Sequence, residues 1–199
     1  MRASMFVLFL AACSTGGSDP IGSPDGGTSS SSGGSSSGGS SSGSTGTVPA
    51  QAIAQFNGGA AAGCATVPAF KVGDFADATA HRPVKDGDTE AGQTVHVDCR
   101  VAPDADKFEL TVVITMGTSS VNLEGILDAQ GGTTSGKLLL KGNGAEWTAT
   151  SCKLDATGVQ MGVAAGRYWA MVSCAGATSA NADTCDIFGQ LSVENCAQQ

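Results

Sequence analysis

The chain has 199 residues, with 29 glycines, seven cysteines, 14% charged residues and a formal net charge of −8. Ten lysines and arginines against eighteen acids exclude the basic face that a nucleic-acid binder needs, and no apolar run approaches the roughly 18 to 20 residues of a membrane-spanning helix. Seven cysteines in a chain of this size point to an oxidising compartment, and nothing in these totals points to a reaction.

Residues 1–12 place Arg2 before the apolar stretch Met5-Phe6-Val7-Leu8-Phe9-Leu10 and end on Ala11-Ala12, the layout of a secretory signal. Cys13 follows at once. Leu10-Ala11-Ala12-Cys13 resembles the lipobox of bacterial lipoproteins, in which the signal is removed and the cysteine thiol carries a diacylglycerol. That resemblance implies lipidation at Cys13, a membrane partner held through the lipid, and an envelope address. With Ser14 rather than an aspartate after the cysteine, the sorting pattern of enteric lipoproteins implies the outer membrane.

Residues 13–48 comprise this cysteine and a tether. Of the 35 residues from Ser14 to Val48, 29 are Gly, Ser or Thr. Such a segment has almost nothing to bury against the entropy of ordering it, which predicts a disordered linker spanning roughly 30–35 Å.

Residues 49–199 form the one segment that can fold, and at that length a sizeable core is available. Its signal is a two-residue alternation. Val95, Val97, Cys99 and Val101 alternate with His96, Asp98 and Arg100, and Phe108, Leu110, Val112, Ile114 and Met116 alternate with Glu109, Thr111, Val113 and Thr115. Further strands are expected over 119–127, 136–141, 147–154, 167–174 and 186–196, separated by turn clusters such as Gly142-Asn143-Gly144. No other stretch reads as helical; the one exception to the strand pattern is 50–56, where Ile53 and Phe56 can share one face of a short helix. The expected fold is all-β, an antiparallel β-sandwich stapled by disulfides and preceded by the disordered linker.

Setting Cys13 aside leaves Cys64, Cys99, Cys152, Cys174, Cys185 and Cys196, an even set that reads as three disulfides. No Cys-x-x-Cys occurs, so neither a thioredoxin-like pair nor a zinc knuckle is encoded. If Cys174 ends one strand and Cys185 precedes the next, a polar loop over 175–184 brings them together. Cys174–Cys185 is therefore the favoured bridge, with the other four cysteines free to pair in three ways.

The ending Gly189-Gln190-Leu191-Ser192-Val193-Glu194-Asn195-Cys196, together with the earlier cysteines, resembles a group of secreted lipoproteins of myxobacterial type. These carry a Ser/Gly tether before a cysteine-stapled β domain, and Leu191 stands where that group has an aromatic residue. The resemblance implies a location and a fold, and no reaction.

Several patches imitate chemistry. Gly131-Gly132-Thr133-Thr134-Ser135-Gly136-Lys137 has phosphate-loop spacing, but Leu138 follows where a magnesium-binding hydroxyl belongs, and too few residues remain before Gly142 for the required helix. It reads as a hairpin loop. Asp86, Asp88 and Glu90 alternate as calcium ligands do, yet the sixth and twelfth positions counted from Asp86 are Ala91 and Val97, so the EF-hand template fails. They remain a weak calcium candidate. Asp104, Asp106 and Glu109 lie beyond a strand about 26 Å long and are expected at the other end of the domain. His81, despite its helical spacing from Asp74 and Asp77, and His96 are both read as exposed surface histidines. Trp147, Tyr168 and Trp169 are read chiefly as core. As neighbours on a strand, Tyr168 and Trp169 point to opposite faces, which leaves one of them as the sugar-stacking alternative.

No motif calls for a cofactor or a catalytic residue. The expected role is a lipid-anchored envelope protein whose β domain is structural or binds a ligand, carbohydrate or an envelope protein being the two classes considered. The alternative is a carbohydrate-directed extracytoplasmic hydrolase with a motif-free pair of acids.

Overall fold

A computed structural model describes residues 48–75, 81–158 and 161–199. The signal, Cys13 and the tether up to residue 47 lie outside the described residues, as does Asp77.

The early strands are short apart from the first: β1 (Gln51–Gly58), β2 (Phe70–Val72), β3 (Val84–Lys85) and β4 (Thr89–Glu90). A long meander follows: β5 (Gln93–Asp104), β6 (Lys107–Met116), β7 (Ser119–Asp128) and β8 (Thr133–Gly142). The chain then passes through β9 (Ala145–Ala149), β10 (Cys152–Asp155) and β11 (Gly162–Ala164), and ends in the long hairpin of β12 (Arg167–Ser179) and β13 (Thr184–Glu194). A single 3-10 turn, Ala62–Cys64, interrupts the β structure.

All sheet pairing between these strands is antiparallel, in the order β2-β1-β13-β12-β9-β8-β7-β6-β5-β4. The fold is the expected antiparallel β sheet wrapped about one core. The free edge of β12 is covered in turn by β11, β10 and β9. On the far side, β5 meets the end of the chain: Val101 N–H donates to the Ala197 carbonyl at 2.9 Å, and Ala197 N–H donates to the Cys99 carbonyl at 2.9 Å. The β3 segment joins the same seam, since Asp86 N–H donates to the Ala50 carbonyl and Gly87 N–H to that of Val95. Edges that would otherwise be open to another chain are thus largely occupied.

The alternation read in the sequence is the alternation of the core. Val95, Val97, Cys99 and Val101 face inward from β5, Leu110, Val112 and Ile114 from β6, and Val121, Leu123 and Leu127 from β7. Trp147 and Tyr168 are among the largest fully buried side chains. Within this core β10 crosses close to β8, and Gly136 makes the approach possible: a Cβ there would lie 2.7 Å from the Cys152 carbonyl oxygen.

Three expectations need correction. The segment 50–56 leads into and forms most of strand β1, Gln51–Gly58, and no helix. Ala52, Ala54 and Phe56 face the core while Ile53 lies on the opposite face, also buried, beneath the segment around Gly73. Burial on both faces erased the polar half of the alternation, so Ile53 and Phe56 fell at helical spacing by coincidence. The run 147–154 is two strands, β9 and β10, which both pair with β12. The favoured Cys174–Cys185 bridge is also wrong.

The bridges are Cys64–Cys185, Cys99–Cys196 and Cys152–Cys174. Strand β12 does not stop at Cys174 but runs on to Ser179 through a bulge, where Gly176 takes a φ of +62° and its N–H is held by Asp186 at 2.8 Å. Cys174 therefore pairs across β13 with Ile187, and Cys185 with Ala177. The residue opposite Cys174 on its other flank is Cys152, with a Cα–Cα distance of 4.1 Å. Three intact bridges indicate an oxidising, extracytoplasmic environment, and among the described residues no helix is long and apolar enough to cross a membrane.

Candidate functional site

The face of β12, β13 and β1 that points away from the core is set by strand parity. Tyr168, Ala170, Val172 and Cys174 are inward, so Arg167, Trp169, Met171 and Ser173 are outward. Register aligns these in rows across the sheet. Trp169 lies beside Ser192 and then Ile53, Met171 beside Gln190 and then Gln55, and Ser173 beside Phe188 and then Asn57. Lys71 of β2 extends the middle row next to Gln55. Met171 is 47% and Phe188 48% exposed, two large apolar side chains on the outward face of the sheet.

One end of this face is covered. An antiparallel bridge between Asp74 and Arg82 holds Phe75 and His81 over the sheet. The Phe75 ring stacks on Trp169 at 6.2 Å between centroids, and His81 meets Trp169 edge-on at 4.7 Å. His81 Nδ1 and Nε2 and Trp169 Nε1 are buried with no hydrogen-bond partner. This corrects the expectation of an exposed His81: backbone pairing around it, rather than its own polarity, places the ring in an aromatic cluster. Beside Trp169, a cavity of about 170 Å³ is lined by Met161, Val163, Arg167, Ser192 and Glu194, among others. The Glu194 carboxylate accepts from Gln51 Nε2 at 2.6 Å.

Of the three aromatic residues read together, only Trp169 faces outward. Trp147 and Tyr168 are core, in line with strand parity. Tyr168 keeps its proton, because burial and then the Asp155 charge push its phenol above the ordinary range. Asp155 behaves oppositely. Its Oδ1 accepts from the Thr157 hydroxyl at 2.5 Å and the Thr157 N–H at 3.1 Å, and Lys153 lies 3.1 Å away. Those bonds, the hydroxyl foremost, lower its pKa from 3.8 to about 2. A depressed folded-state pKa makes the contribution of Asp155 complete above the ordinary carboxylate range and lost as pH falls through about 2. Carboxyl NMR titration is expected to show that midpoint, and Thr157→Ala to move it back toward the ordinary value. An unmoved midpoint would mean that the hydroxyl is not the main cause.

The other sequence candidates disperse. Asp86 Oδ1 accepts from Val97 N–H at 2.9 Å, Asp88 Oδ2 from Lys85 N–H at 3.1 Å, and Glu90 Oε2 from Gly73 N–H at 2.9 Å. Each carboxylate is engaged by the backbone of a different segment: Asp86 by β5, Asp88 by its own turn and Glu90 by the residue after β2. Among the described residues no group of three His, Cys, Asp or Glu side chains is placed to hold a metal ion. His96 is exposed, 3.5 Å from Asp86, as the polar phase of β5 predicts. Glu109 pairs with Arg100 at 2.5 Å, and Asp104 is at the far end of β5 from the Asp86 turn. The segment of phosphate-loop spacing is the β7–β8 hairpin, with Asp128 Oδ1 accepting from Gln130 and Gly132 N–H, both at 2.9 Å.

Sequence reading missed Met171, Phe188 and the Gln55–Gln190 pair. Parity on β12 signals Met171 once Tyr168 is assigned inward, but the row that joins β12 to β1 through β13 is non-local and leaves no mark in the sequence. Comparison with protein-family models, curated proteins and solved structures finds no match for this chain.

Proposed function

We propose that this protein is exported, lipidated at Cys13 and displayed from the cell envelope, by the pattern outlined above from the outer membrane, as a rigid binding module. The observation that carries the binding part is the outward face of β12, β13 and β1, where Met171 and Phe188 are half exposed on a sheet whose register the flanking strands hold. A rigid sheet presents such groups at little conformational cost on binding. The lipobox-like Leu10-Ala11-Ala12-Cys13, the Ser/Gly tether after it and the three disulfides support the address. The tether gives the domain reach from the bilayer, and its resemblance to myxobacterial-type lipoproteins belongs to the same reading.

The anchor is tested by Cys13→Ser. The parent chain is expected to incorporate labelled palmitate and to sediment with membranes, and the variant to lose the label and fractionate as soluble protein. A variant that still sediments would remove the lipid anchor from the reading and leave the domain's surface to be judged by itself.

A further inference from the structure

We propose that the cavity beside Trp169 binds a small zwitterion of the α-amino acid class, with Arg167 taking the ligand's carboxylate, Glu194 its ammonium, and Met161 and Val163 its apolar side chain. The site lies at one end of the outward face and uses neither Met171 nor Phe188, so it goes beyond the binding reading above. The register supplies the geometry. Tyr168 pairs with Val193, and the next position along each strand is outward: Arg167 on β12 and Glu194 on β13, cross-strand neighbours one step from the row of Trp169 and Ser192. Glu194 does not turn to Arg167. Its Oε2 accepts from Gln51 Nε2 at 2.6 Å, on the β1 side, and Arg167 pairs with none of the described carboxylates. The space of about 170 Å³ that both residues line therefore has an unpaired cation from β12 and a carboxylate from β13 in its walls.

The chemistry of these walls selects the occupant. The guanidinium fork of Arg167 matches a carboxylate, and Glu194 Oε1, which has no partner among the described residues, is an acceptor for an ammonium. A ligand with negative charge alone would face Glu194, and one with positive charge alone would face Arg167, and like charges brought together across a contact are costly. Both are satisfied by a molecule that carries the two charges on neighbouring groups. Direct pairing of Arg167 with Glu194 competes weakly, because both side chains are exposed. Trp169, also in the lining, keeps a buried indole N–H with no partner, and Ser192 adds a hydroxyl. Met161 and Val163 are partly buried against the core and make the apolar wall. The volume lies below the roughly 300–1,000 Å³ of sites for drug-sized ligands, which favours one amino acid over a peptide or a glycan.

The test is isothermal titration calorimetry of the full-length chain in mild detergent with leucine, methionine and phenylalanine, each as the L and the D form. Saturable binding of at least one of them is expected. N-acetylleucine lacks the ammonium and leucinamide lacks the carboxylate, and each should bind at least about tenfold more weakly than leucine, the loss of one charge-assisted hydrogen bond. Arg167→Gln and Glu194→Gln should each weaken binding to the same extent, with unchanged melting of the ligand-free protein, because both side chains are exposed. No binding of any of the amino acids, binding of N-acetylleucine or leucinamide as tight as that of leucine, or affinity indifferent to both substitutions would each overturn the proposal. Phe188→Ala and Met171→Ala are expected to leave amino-acid binding unchanged. Failure of this site therefore leaves the face around Met171 and Phe188 untouched, and failure of that face leaves this site standing.

Discussion

The double variant Cys99→Ala/Cys196→Ala is expected to lose about 4–5 kcal/mol of stability, the chain-entropy value for a bridge between residues 97 apart. For a domain of this size that is a fall in melting temperature of roughly 10–15 °C. The bridge does more than shorten the unfolded chain. It fastens β5 to the residues after β13 beside the paired Val101 and Ala197 hydrogen bonds. Its loss should therefore also speed hydrogen exchange at Val101 and Ala197 ahead of the β6–β7 amides. The Cys152–Cys174 bridge closes a much shorter loop, with a separation of 22, and its removal in Cys152→Ala/Cys174→Ala is expected to cost about 3 kcal/mol. Urea unfolding of the two variants without reductant decides the matter. A larger loss from the Cys152–Cys174 pair would show that strand-to-strand strapping, rather than loop length, governs what these bridges contribute.

Trp147→Ala should cost about 3–5 kcal/mol, the range for removing a large aromatic side chain from a packed core. Trp147 is wholly buried, facing inward from β9, and its indole N–H reaches the Thr66 carbonyl at 3.4 Å. Through that contact the side chain also steadies the loop between the 3-10 turn and β2. Trp147→Phe keeps most of the volume and loses the donor, so its cost should be well under half that of alanine. If phenylalanine were as damaging as alanine, the hydrogen bond to Thr66 would outweigh the packing. The same denaturation series, followed by the fluorescence of the remaining Trp169, reads both variants.

The legibility of this fold depended on how unequally each strand's two faces are solvated. Strands β5 and β6 carry valine, leucine and isoleucine inward and acids, threonine or arginine outward, so their parity is written in the residues themselves. Strand β1 is buried on both sides along part of its length, and its residues carry no such contrast. The disulfides divided in the same way. Six cysteines in an exported domain identify a framework, but a partner is chosen by which strands lie side by side. The bulge at Gly176 is what moves Cys185 out of line with Cys174. At the candidate face, Trp169 was placed by parity, whereas His81 was misread because a histidine next to a proline-bearing turn shows no trace of the Asp74–Arg82 bridge that carries it over the sheet.

The opening totals now have distinct physical meanings. Eleven of the 29 glycines belong to the tether, and the folding segment carries 9 basic against 16 acidic residues, a charge of −7. The β class and the number of bridges follow from the sequence by itself, because they depend on local alternation and on parity of count. The pairing of the cysteines, the strand nature of β1, the packing of His81 against Trp169 and the grouping of Met171, Phe188, Gln55 and Gln190 on one face were decided by the tertiary structure alone. Each depends on which distant strands hydrogen-bond and in what register, and a one-residue slip of that register would turn every side chain on the affected strand to the opposite face.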